Sequence, residues 1–227
     1  MTALRAVTAA LLLSLPSAAL GSEWLMMVKS GNVDPAREAE FEHWYNEIDI
    51  PDVLAVPGYE RARRGVAVTG DSARPYVALY TITSSDMDKT IIAMLMASWR
   101  MDQLGRGTDL IKVTERIYYQ REGKGTRSAD APKPTHLYLH RSKGVAPKEL
   151  RAIVNAGFAV GATPYRVYNV LMHEPVAVPD QLVVFEISAA SDAAAKDAVK
   201  AIETRTGVSG CGADCAALYR VMLDVSG

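Results

Sequence analysis

The 227-residue sequence predicts an α+β fold built from two tandem β-α-β-β-α-β units. Three observations predict it. Hydrophobic periodicity switches between two and 3.6 residues in the same order twice along the chain. A polar stretch without periodicity, residues 122–133, separates the two runs and reads as a linker. The two runs also overlay in register. Leu25-Met26-Met27-Val28 matches Leu137-Tyr138-Leu139-His140, and Val77-Ala78-Leu79-Tyr80 matches Val183-Val184-Phe185-Glu186. Both of the latter lead to a Ser-Asp pair before a helix, Ser85-Asp86 and Ser191-Asp192.

Each element has its own warrant. Trp24 to Ser30 reads as a strand. Ala36 to Val56 reads as a helix and turn, with Phe41, Trp44, Tyr45 and Ile48 on one apolar face and His43 on the opposite, solvated side. Tyr59 to Val68 and Tyr76 to Thr83 are strands around a turn rich in Gly, Asp, Ser and Pro. Met87 to Leu104 is a helix with Ser85 or Asp86 as its cap. Lys112 to Gln120 closes the first unit. In the second, Thr135 to Arg141 is a strand, Pro147 to Asn155 a helix, and Pro164 to His173 and Leu182 to Ser188 strands. Ala193 to Thr206 is a helix ended by Gly207, and Ala217 to Val225 is the last strand. One such unit is a split βαβ, the ferredoxin-like motif. Its helices cover one sheet face only, so the second unit is expected to cover the other, giving a pseudo-dimeric α/β barrel with repeats at 22–121 and 134–227.

Residues 1–21 are expected to lie outside this fold. Arg5, the apolar run Ala6 to Leu15, Pro16 and the small residues Ser17 to Gly21 have the layout of a secretory signal peptide. The expected location is periplasmic or secreted, with no membrane association after cleavage. In that oxidising setting Cys211 and Cys215, in a Gly/Asp turn, are expected to form a small local disulfide; free thiols or a metal or redox role are the alternatives. With 25 Lys+Arg against 26 Asp+Glu, the chain lacks the basic excess that nucleic-acid binding requires. It carries no phosphate-binding loop, dinucleotide fingerprint, nucleophile elbow or zincin motif.

The segment from Phe41 to Tyr59, with Trp44, Tyr45, Pro51, Leu54, Pro57 and Gly58, followed by Arg61 to Arg64, resembles the dimeric α/β-barrel superfamily, particularly its EthD-like members. The resemblance implies ferredoxin-like halves forming a barrel, usually by dimerisation. At the position where the family carries a His, this chain has Asp49. The superfamily includes monooxygenases, isomerases, cyclases and haem enzymes, so the fold alone selects no chemistry.

Strand alternation then orients side chains. Taking Leu25, Met27, Leu137, Leu139, Val77, Leu79, Val183, Phe185, Ile117 and Val221 as facing the helices leaves the rest inside the barrel. The interior set is Trp24, Met26, Val28, Tyr80, Arg116, Tyr118, His136, Tyr138, His140, Glu186 and Arg220. An enclosed set of His, Tyr, Glu and Arg is candidate acid–base machinery. His136, Tyr138, His140, Glu186 and Arg220 are the catalytic candidates. Trp24, Asp49, Tyr80, Arg116 and Tyr118 are the substrate-binding candidates. Two His four residues apart on a strand are separated by roughly 13 Å, too far to share one ion, so no metal site is expected. The leading expectation is a cofactor-independent enzyme moving protons on a small aromatic or hydroxylated compound, as a lyase, isomerase or cyclase. A non-catalytic ligand-binding or assembly protein and a haem-dependent enzyme are the alternatives. A homodimer through outer surfaces is left open.

Overall fold

The computed structural model describes residues 21–70, 75–123, 125, 130–142, 162–168, 181–206 and 216–227. The leader, the helix expected at Pro147–Asn155, the strand end at His173 and the pair Cys211 and Cys215 lie outside the described residues. In chain order the elements are β1 (Ser22–Asn32), a 3-10 turn (Pro35–Arg37), α1 (Glu38–Trp44), a π turn (Tyr45–Asp49) and α2 (Ile50–Leu54). β2 (Tyr59–Thr69), β3 (Tyr76–Ser84), α3 (Met87–Gln103) and β4 (Ile111–Arg121) complete the first half. β5 (His136–Ser142), β6 (Ala162–Tyr168), β7 (Gln181–Ile187), α4 (Asp192–Thr206) and β8 (Ala216–Ser226) form the second.

The strands close into one barrel in the order β1-β3-β2-β8-β5-β7-β6-β4, every pair antiparallel. Exchanging the two halves leaves that order unchanged, so the barrel has a pseudo-two-fold axis. The halves join edge to edge through β2–β8 and β4–β6, which leaves no open sheet edge. Gly65 allows one of these seams. A Cβ there would sit 3.0 Å from the Arg220 carbonyl oxygen and 3.0 Å from the Tyr219 Cβ. Gly58, just before β2, has φ 95°, and a Cβ would sit 2.8 Å from the Thr83 carbonyl oxygen, so the Pro57-Gly58-Tyr59 motif is a steric requirement.

Three cores follow. The barrel interior is aliphatic: Leu25, Met27, Val77, Leu79 and Ile117 meet Leu137, Leu139, Leu182 and Val184, with Tyr119 and Tyr219. Each such aliphatic burial contributes about 1.5–3 kcal/mol. Ion pairs cap this layer. Arg141 and Lys29 hold Glu115, and Arg63 holds Glu186. Burial raises the Glu115 carboxyl, but the hydrogen bonds and charges of Arg141 and Lys29 together outweigh it and keep the group below the ordinary carboxylate range. The other two cores lie outside the barrel. Trp24, Met26, Val28, Tyr59, Tyr80 and Tyr118 pack under α1 to α3, and Tyr138, Val183, Phe185 and Leu218 pack with α4.

The expected faces are therefore exchanged for most strands. Trp24, Met26, Val28, Tyr80, Arg116, Tyr118, His136, Tyr138, His140 and Arg220 lie on the helix side, not inside the barrel. Leu25, Met27, Val77, Leu79, Ile117, Leu137, Leu139 and Val221 face the interior. Val183 and Phe185 do face the helices, and Glu186 does face inward. The physical reason is that both faces are buried. The interior takes most of the aliphatic set with Tyr119, Tyr219 and the capping ion pairs, and Trp24, Tyr80, Tyr118, His136, Tyr138 and His140 sit on the helix side.

Candidate functional site in the first half

The π turn decides what stands over the helix side of the first-half sheet. Ile50 N–H donates to the Tyr45 carbonyl, one residue further back than in an α-helix. The buried positions of this stretch are Phe41, Tyr45, Ile50 and Val53, and the step of five between Tyr45 and Ile50 marks the inserted residue. The insertion carries Asp49 over the sheet. Its carboxylate accepts a hydrogen bond from the Tyr80 hydroxyl at 3.3 Å. Burial pushes the carboxyl up to about 6, against the opposing effects of the Tyr80 hydrogen bond and the Arg116 charge. The residue keeps partial solvent exposure. Burial, then the neighbouring Tyr45 and Asp49, likewise raises the Tyr80 hydroxyl, so it stays a proton donor to Asp49.

Strand register supplies the floor. Tyr80, Met26 and Tyr118 lie side by side across β3, β1 and β4 on the helix side, and Ala78, Val28 and Arg116 form the next row. Tyr118 and Tyr59 are hydrogen-bonded, and the Tyr59 hydroxyl also points to the Met26 sulfur at 3.7 Å. Arg116 is exposed, and its charge acts on Asp49. Trp24 donates from its indole to the Ser84 carbonyl at 3.3 Å. All five substrate-binding candidates, Trp24, Asp49, Tyr80, Arg116 and Tyr118, thus share one face or stand over it.

Arg64 of β2 fastens this helical stretch to the sheet. Arg64 is fully buried, its guanidinium 5.4, 4.4 and 4.7 Å from the ring centroids of Phe41, Tyr45 and Tyr76. It donates to Glu42 at 2.6 and 2.9 Å and to Asn46 at 3.2 Å. Arg63, its neighbour, points into the barrel. The sequence left the direction of these arginines open. A register shift between Tyr59 and Arg61 decides it.

The five catalytic candidates are not brought together. His136 lies 3.0 Å from Asp192 through Nε2 and 2.9 Å from the Thr135 hydroxyl through Nδ1. Both ring nitrogens are occupied, and the residue is 2% exposed. Arg220 joins the same Asp192 at 3.1 Å, beside a shallow groove of about 680 Å³. The His136 hydrogen bond, with the Arg220 charge, keeps Asp192 below the ordinary carboxylate range. Since Asp192 begins α4, this cluster fastens the helix to the sheet. Tyr138 instead donates to Glu203 at 2.9 Å and stacks on Phe185 at 5.7 Å. His140 is buried beside Tyr138, its rings' centroids 6.3 Å apart, and burial lowers its pKa. Among the described residues neither of its ring nitrogens has a partner. Glu186 is on the other side of the sheet with Arg63. Among the described residues no group of three or more His, Cys, Asp and Glu converges as metal ligands. The sequence reading missed Glu203, which only tertiary packing brings to Tyr138.

Neither a family model nor a curated protein matches the sequence. Solved structures do resemble it. An anthrone oxidase-like protein aligns with TM-score 0.56 and 11% identity over 91% of this chain and 93% of its own. A candidate chlorite dismutase aligns with TM-score 0.56 and 11% identity over 90% and 96%. A candidate monooxygenase from Lactobacillus acidophilus aligns with TM-score 0.50 and 9% identity over 90% and 96%. At these identities the likeness is one of fold, and with the closed barrel it shows that the chain has the dimeric α/β-barrel architecture with both ferredoxin-like halves on one polypeptide.

Proposed function

We propose that the protein is an exported enzyme that moves protons on a small aromatic or hydroxylated compound, without a cofactor, at Asp49 on the helix side of the first half. The observation that carries this reading is the Asp49 carboxyl, pushed up to about 6 and hydrogen-bonded by Tyr80. A carboxyl in that range exchanges protons readily near neutral pH. In its ionised form Asp49 accepts a proton from an acidic carbon or hydroxyl of the substrate. Arg116 holds the resulting anion, and the tyrosine floor packs against the ring. Return of the same proton to a different atom completes an isomerisation or cyclisation with no net redox change.

The reading shifts the chemistry from His136 and His140 to Asp49, because His136 is held at both ring nitrogens and is 2% exposed. The test is a screen of hydroxylated aromatic substrates with wild type and Asp49→Asn. Turnover that survives the substitution contradicts the assignment. Saturable binding without turnover in both proteins would instead make this a ligand-binding protein. The export step is tested by the N-terminal mass of the secreted protein, expected to begin near Ser22.

A second reading, haem-dependent chemistry in the second half, is favoured by one observation. His140 is buried, burial disfavours its charged form, and its nitrogens lack partners among the described residues. His140 would hold the iron, and the group would supply redox chemistry when bound. A Soret band lost in His140→Ala supports this reading; a protein without the band after haem supplementation excludes it.

A further inference from the structure

The long helix of the first half has an uncovered apolar edge. α3 buries Met87, Ile91, Met94 and Met101 against the sheet. Its outer edge carries Ile92, Leu95, Met96 and Trp99 at i, i+3, i+4 and i+7, with exposures of 56, 53, 57 and 59%, and Leu104 beyond them at 66%. This spacing is a helix-packing seam. Beside it runs a groove of about 610 Å³ between α2 and α3, walled by Ala55, Val56, Pro57 and Ala97, with Trp99 and Leu104 among the side chains that line it.

We propose that this face binds a second copy of the chain, the two α3 helices packing across a two-fold axis with Trp99 of each copy entering the partner's α2–α3 groove. Three observations favour a second copy. The first is area. Taking about 200 Å² for a large side chain, the five residues offer about 600 Å² of apolar surface. That is at the upper end of what a typical monomer leaves in one patch, and a polar rim would bring it towards the roughly 800 Å² per partner of a stable interface. The second is shape. A projecting indole and a groove sized to hold one lie on the same face, and an isologous contact requires both on each copy. The third is charge. Around this face Arg106 and Lys89 are paired with Asp52 and Asp86, and Arg100, which also lines the groove, is set against Asp88 and Asp102 of the same helix, so the rim carries both signs and is close to neutral. With a chain net charge of -1, nothing repels a second copy. A lipid surface would instead be met by a clear excess of Lys and Arg over Asp and Glu.

The experiment is sedimentation velocity on the purified protein over a concentration series reaching on the order of 100 μM, on wild type, Trp99→Glu, Leu95→Glu and the control Val33→Glu. Val33 is also exposed but lies in the β1–α1 connection, away from this face. Expected is a concentration-dependent dimer for wild type and the control, at least tenfold weakened in the two α3 variants. Far-UV circular dichroism and thermal melting should match wild type in all four, since the substituted side chains are exposed. A wild type that stays monomeric overturns the proposal, as do α3 variants that still dimerise like wild type. Trp99-dependent flotation with phosphatidylglycerol vesicles by a monomeric protein overturns it in favour of a lipid surface.

Discussion

The two halves of the barrel share a topology and distribute their polar groups in opposite ways. In the first half the strand facing the helices offers Trp24, Met26 and Val28, and the ionisable group arrives from the helix side as Asp49. In the second the matching strand positions are His136, Tyr138 and His140. Two of these are tied to α4 through Asp192 and Glu203. The difference separates polar groups that hold the fold together from polar groups kept in a costly state. His136 has partners on both nitrogens, whereas Asp49 is desolvated beyond what one tyrosine and one distant arginine offset, and so titrates where proton transfer is useful.

Substitutions can break this contrast. The largest expected effect is on turnover. Asp49→Asn should lower kcat by about 10²–10⁴, the usual contribution of a positioned acid or base, with the fold intact. Steady-state kinetics on the substrate found by screening reads this out. Next is the barrel mouth. Glu186→Ala leaves the Arg63 guanidinium, 5% exposed, without this carboxylate, and should destabilise the protein by about 3–5 kcal/mol in urea unfolding. His136→Ala should cost about 1–3 kcal/mol by freeing Asp192 and Thr135, while kcat per folded molecule stays at the wild-type value. A kcat falling as far as that of Asp49→Asn would move the chemistry back to the second half. The smallest effect is at the start of α3, where Asp86 accepts from the Lys89 N–H at 3.2 Å. Loss of that cap in Asp86→Ala should lower the thermal midpoint by a few degrees at most, read by circular dichroism.

Much of the fold was legible in the sequence because it rests on local signals. The strand runs, the Asp86 cap and the Pro57-Gly58 turn each follow from periodicity or from one residue's steric needs. The repeat told which strands correspond. The faces were not legible. Leu25-Met26-Met27-Val28 is apolar at every position, so alternation cannot tell the barrel interior from the helix side when both are buried. The π turn hid the placement of Asp49, though not its candidacy, for a related reason: a regular 3.6-residue period carried from Phe41 through Ile48 puts it at the flank of the apolar face, not over the sheet. The step of five from Tyr45 to Ile50 was the available signal. Partners such as Glu186 for Arg63, or Glu203 for Tyr138, are distant in sequence and carry no local mark.

The account stands on the desolvated Asp49 carboxyl, and its most direct test is the stability difference between wild type and Asp49→Asn from pH 4 to 8. A carboxyl raised from 3.8 to about 6 in the folded state favours folding while it is protonated. That contribution is fully present below the unfolded value and is lost as pH rises through about 6. The amide that replaces the carboxyl in the variant does not titrate. The carboxylates held low elsewhere, Glu115, Asp192 and Asp224, are common to both proteins and cancel. The variant should therefore gain on wild type as pH rises from 4 to 7, by up to about 3 kcal/mol, and hold that gain to pH 8. Parallel stability curves across the range, or a variant that loses ground above pH 6, would contradict it.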